Sequence, residues 1–133
     1  MIDIENKIID TIANALPDVT VYGEFQLNPE EFPCVMVDYD YSGDYTRSYD
    51  EQLTPHHARI SVQLDTFALG KDEVKRVNAA AVDAMYGMKF TCTESVNWNQ
   101  YSEGIYRMTS RFSAVVGEGK DVDGNTVYQI YRK

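Results

Sequence analysis

The chain has 133 residues, of which 44% are hydrophobic and 12% aromatic, enough for one domain with a core and too apolar for a disordered tail. Lys and Arg total 12 against 21 Asp and Glu, a net charge of −9, and the basic residues are scattered. That balance disfavours sequence-specific nucleic-acid binding and adhesion to anionic membranes.

No apolar stretch approaches the roughly 20 residues of a membrane span. The opening MIDIENKIID has neither the basic head nor the apolar run of a signal peptide, so export is not expected. No repeat, low-complexity tract or linker divides the chain, and residues 1–133 read as a single domain. Cys34 and Cys92 lie far apart outside any CxxC spacing and are expected to be free thiols.

In chain order, Asp3 to Leu16 predicts an amphipathic helix: Ile4, Ile8, Ile12 and Leu16 recur every fourth residue, with Asp3 as N-cap. Val19, Val21 and Phe25 suggest a short strand broken near Gly23, and the prolines of Asn28–Pro33 make a loop. Cys34 to Tyr41 predicts a strand with Val35, Val37, Tyr39 and Tyr41 on one face and Met36, Asp38 and Asp40 on the other. Ser42 to His57 has no apolar period and reads as a long loop or exposed hairpin.

Ala58 to Phe67 alternates cleanly: Ala58, Ile60, Val62 and Leu64 inward, Arg59, Ser61, Gln63 and Asp65 to water. Gly70-Lys71 opens a second helix to about Tyr86, with Val74, Val77, Ala81, Ala84 and Met85 as its buried stripe. Gly87 is the expected left-handed cap. Met88–Thr93 and Gly104–Val116 read as strands, the latter with Tyr106, Met108, Phe112, Ala114 and Val116 on one face. Trp98 is expected in a loop, and Asp123-Gly124-Asn125 turns a closing hairpin. The expected fold class is α+β: a mostly antiparallel sheet with two helices packed on one face and a polar opposite face.

Catalytic motifs are missing: there is no GxSxG, Walker loop, GxGxxG, HExxH or paired CxxC. His56 and His57 are adjacent, so on an extended chain they point apart and do not chelate one metal. The stretch Asp121 to Asn125 begins like a calcium loop, but Thr126 and Arg132 stand where glycine and glutamate are required. No cofactor, metal or catalytic residue is therefore expected. Arg59, Arg107 and Arg111 suggest an anion site, though cross-strand ion pairs with Asp38, Asp40 and Asp65 are the simpler account.

The unusual stretch is Val37 to Glu51, which holds four of the chain's 10 tyrosines interleaved with aspartates. Tyrosine gives rigid, amphipathic contact area at low entropic cost. Tyr41, Asp44, Tyr45, Arg47 and Tyr49 are thus the candidate protein-interface residues. The plain alternative is an exposed hairpin with Tyr39 and Tyr41 in the core.

The strand Arg59-Ile60-Ser61-Val62-Gln63-Leu64-Asp65-Thr66-Phe67-Ala68 leads into a helix ending Val82-Asp83-Ala84-Met85. A second strand follows, Tyr106-Arg107-Met108-Thr109-Ser110-Arg111-Phe112-Ser113-Ala114-Val115-Val116, and Pro33-Cys34-Val35-Met36-Val37 succeeds the first helix. In this arrangement the chain resembles the tail terminator, or tail-completion, proteins of long-tailed bacteriophages and prophages, from roughly Ile4 to Val116.

The resemblance implies a homo-oligomeric ring, typically a hexamer. Such a ring would cap the tail tube, contact tail-tube and head-connector or neck proteins, and lie at the tail–head junction of a virion assembled in the bacterial cytoplasm. A head-closure or neck protein of the same particle is the near alternative. A non-phage binding module using the Tyr/Asp-rich loop is the second class, and a small enzyme with an unrecognised cysteine or carboxylate site the third.

Overall fold

The four-residue apolar spacing of the first segment forms α1 (Glu5–Ala15), which buries Ile8 and Ile12 completely. Its N-cap is Ile4, and Asp3 acts from one position earlier, its carboxylate accepting the Glu5 N–H at 3.0 Å. The computed structural model describes residues 3–24, 29–44, 57–102 and 104–131, with backbone alone at 41–44 and 96–102. Phe25 and Asn28 lie outside them.

The short β1 (Thr20–Tyr22) runs parallel to β2 (Cys34–Asp44), and β2 pairs antiparallel with β3 (His57–Ala68). Helix α2 (Lys71–Gly87) connects β3 to β4 (Thr91–Ser102), and β5 (Ile105–Lys120) lies between β3 and β4. The last strand, β6 (Thr126–Tyr131), pairs with the far half of β5. The fold is α+β, and its six-stranded sheet is antiparallel except at β1.

Strand alternation decides which residues meet the helices. Ala58, Ile60, Val62 and Leu64 of β3 join Val35 and Val37 of β2, and Phe112, Ala114 and Val116 of β5, in one buried cluster. The N-cap Ile4, Ile8 and Ile12 of α1, and Val77, Ala81 and Met85 of α2 complete it. Burial of each Val, Leu, Ile, Phe or Met side chain among them contributes about 1.5–3 kcal/mol. The α2 stripe also includes Asn78, whose Oδ1 accepts a hydrogen bond from the buried Thr66 hydroxyl at 3.3 Å, tying the helix to β3.

The helix ends differently from expectation. Gly87 is its last residue, and the left-handed residue is Lys89 at φ 72°. Lys89 N–H donates to Tyr86 O at 2.9 Å and Phe90 N–H to Met85 O at 3.1 Å, the paired bonds of a Schellman motif. Phe90 and Met85 both enter the core, which supplies the apolar contact that accompanies this motif.

The face away from the helices is not uniformly polar. Cys34, Met36 and Phe67 form a second small cluster there, with Tyr22, Phe32 and Ile105 packed against it. Trp98 is also placed differently: its backbone is in β4, opposite Arg107.

Candidate functional site

Three adjacent strands build a polar network on this open face. Asp65, expected in water, is 1% exposed. Its Oδ1 accepts hydrogen bonds from Arg107 Nε at 3.0 Å, Arg107 Nη2 at 2.8 Å and the Thr109 hydroxyl at 2.6 Å. Its Oδ2 accepts from Gln63 Nε2 at 2.9 Å. A buried carboxylate is tolerated because its oxygens are met by donors. The Arg107 guanidinium also lies 5.5 Å over the Phe67 ring and helps cover the second apolar cluster.

The network continues across β5. Arg111 Nε donates to Gln63 Oε1 at 3.0 Å, and Arg111 Nη1 meets Glu94 of β4 at 3.1 Å. Of the three arginines expected to pair with Asp38, Asp40 or Asp65, one does so among the described residues. Arg107 does take Asp65, whereas Arg111 pairs with Glu94 and not with Asp38 or Asp40. Among the described residues, no ion pair engages Arg59, Asp38 or Asp40. Asp38, Asp40, Ser61, Gln63, Thr93, Arg111 and Ser113 line a shallow depression of about 390 Å³ on this face. Glu94 and Gln63 are participants that the sequence reading missed; only the cross-strand register reveals them.

Of the candidate interface residues, Tyr41 and Asp44 lie in β2, where only the backbone is described. Tyr45, Arg47 and Tyr49 lie outside the described residues, so this assignment rests on the sequence. Tyr39 belongs to the core face, and its hydroxyl accepts the Ile4 N–H at 3.3 Å. Burial raises its phenol pKa above the usual value.

The remaining chemical candidates have structural surroundings. Cys34 and Cys92 are both free. Cys34 is fully buried; desolvation, aided by the nearby Glu31 charge, pushes its thiol up to about 11. Such a thiol is a poor nucleophile at neutral pH. His57 opens β3 instead of lying in a loop, and His56 is outside the described residues. The His57 ring packs 5.6 Å from the Tyr131 ring, and its Nδ1 is buried without a hydrogen-bond partner among the described residues.

Asp121 makes a turn: its Oδ1 accepts the N–H groups of Asp123 and Asn125, each at 2.9 Å, and Gly124 adopts φ 83°. The hairpin expectation holds. Among the described residues, no helix is long and apolar enough to cross a membrane.

No protein-family model and no curated protein matches the sequence. Solved structures do match. A chain of "Virion of native gene transfer agent (GTA) particle" superposes with a TM-score of 0.56 and 14% identity, covering 82% of this chain and 88% of that one. What the two share is the fold. The match spans most of both chains, so it concerns the whole α+β arrangement and not one common hairpin.

Proposed function

We propose that this chain is a non-catalytic structural component of a phage or phage-like particle. Within that class we assign it as a tail terminator: a ring, hexameric by the family resemblance, that caps the tail tube and joins it to the head connector. The observation carrying this reading is the fold shared with a chain of the gene transfer agent virion over four-fifths of the sequence. The residue pattern through Arg59–Ala68 and Tyr106–Val116 supports the same class.

The side-chain chemistry fits a protein that binds instead of transforming a substrate. Asp65 and Arg107 satisfy one another, and the Cys34 thiol stays protonated at neutral pH. The net charge of −9 suits a ring through which DNA passes without being retained.

Electron microscopy of particles carrying a gold-labelled tag on this chain tests the assignment. Label at the tail–head junction is expected. Label on the head shell, on the distal tail tip, or absent from purified particles would overturn it.

A further inference from the structure

Among the described residues the sheet has two open edges, and their strands run in opposite directions. With β2 taken as up, β3 runs down, β5 up and β4 down. Among the described residues, no strand pairs with the outer side of β4. At the other edge β1 covers β2 only at Cys34–Met36, and among the described residues no strand pairs with the outer side of Val37–Asp44.

Such edges present rows of unpaired N–H and C=O groups, and solitary edges are usually guarded by Lys, Pro or bulges. Neither β4 nor Val37–Asp44 contains Lys, Arg or Pro, and the charges they carry are acidic: Asp38, Asp40 and Asp44 on β2 and Glu94 on β4. Bulges are present, at Tyr41/Gly43 in β2 and at Cys92/Glu94 and Trp98/Ser102 in β4. The end of β1 and the first bulge bound the run Val37–Tyr41, and the two bulges of β4 bound Glu94–Trp98, a run of the same length. Glu94 is the one acid in its run and is bound by Arg111, so the aspartates of the β2 edge would meet a neutralised carboxylate.

The geometry points to Glu94–Trp98 of one copy pairing with Val37–Tyr41 of the next, extending the sheet from protomer to protomer. This inference rests on the ring reading above. The occupant is a second copy because the edges are complementary within one chain. Rotation about an axis parallel to the strands brings β4 antiparallel to the neighbour's β2, which continues the sheet's own alternation. A head-to-tail contact of this kind uses each edge once, and it closes into a ring when the rotation per protomer divides a full turn. Pairing of β4 with β4 would stop at a dimer and leave every β2 edge open.

Hydrogen exchange of the full chain, dilute and assembled, tests the pairing. Amides in 37–41 and 94–98 should exchange at least about tenfold more slowly in the assembly. An assembled ring in which both runs exchange as they do in the monomer overturns the proposal and leaves the ring reading intact. A chain that stays monomeric at every concentration overturns the ring reading itself, and this pairing with it.

Variants give a second readout. Successive N–H groups on an edge strand alternate between inward and outward directions, so one of Ser95→Pro and Val96→Pro removes an outward donor. Whichever variant keeps the native circular dichroism should raise the half-assembly concentration at least about tenfold. Wild-type assembly by that variant would contradict the proposal.

Discussion

Arg107 of β5 lies diagonally across the open face from Asp65 of β3, and its guanidinium donates from Nε and Nη2 to the same carboxylate oxygen, at 3.0 and 2.8 Å. The residue directly opposite Asp65 is Thr109, which adds the third bond to that oxygen. Diagonal partners on a sheet are within reach of long side chains, and Arg107 uses that reach to neutralise a charge taken out of water.

Truncating either partner should therefore leave a buried, unmatched charge. Asp65→Ala or Arg107→Ala is expected to cost about 3 kcal/mol, near the lower end for broken buried pairs because Arg107 retains some exposure. Chemical denaturation read by circular dichroism gives the number. A loss below about 0.5 kcal/mol would show that water replaces the missing partner.

Burial of Cys34 predicts an alkaline loss of stability. Its folded pKa, about 11, is raised above the unfolded value of 9.0, so the native state holds the proton more tightly. The contribution is complete below about pH 9, declines between pH 9 and 11, and is gone above that. Cys34→Ala should flatten the pH profile in this window at a cost of about 1–3 kcal/mol, with assembly unchanged. Equal slopes for both proteins would contradict the account.

Gly117 faces His57 across β3 and β5. A Cβ there would lie 2.8 Å from His57 Nε2 and 3.1 Å from the Tyr131 ring. Gly117→Ala should destabilise by about 1–3 kcal/mol, the usual range for overpacking. Most of that loss should disappear in a His57→Ala background, where the ring is gone. A thermal-denaturation double-mutant cycle measures the coupling, and additive losses would remove the steric explanation.

The alternation of β3 and the spacing of α1 were legible because one buried face imposes a simple period on each. The same period could not show that Asp65 is buried. It assigns a residue to a face, but coverage of that face comes from Arg107, Phe32 and Ile105, which are distant in sequence. Trp98 was illegible for a different reason. An edge strand pairs on one side only, so its sequence need not alternate, and Asn97-Trp98-Asn99 reads as loop while its backbone continues β4. Lys89 shows the limit of glycine as a helix-end marker: the paired carbonyl bonds and the Phe90 contact hold a lysine in the left-handed region.

The tyrosine-rich segment yields a prediction from sequence alone. Tyr45→Ser and Tyr49→Ser together should leave the circular dichroism spectrum and melting temperature unchanged while weakening ring formation. Light scattering across a concentration series reports assembly. Wild-type assembly by the double variant would make the segment solvated surface.

The tail-length distribution after deletion of this gene in a particle-producing strain tests the terminator assignment most directly. Loss of the cap predicts headless tails of broad, extended length, with uniform tails restored by the wild-type gene supplied in trans. Tails of normal, uniform length in the deletion strain would contradict it.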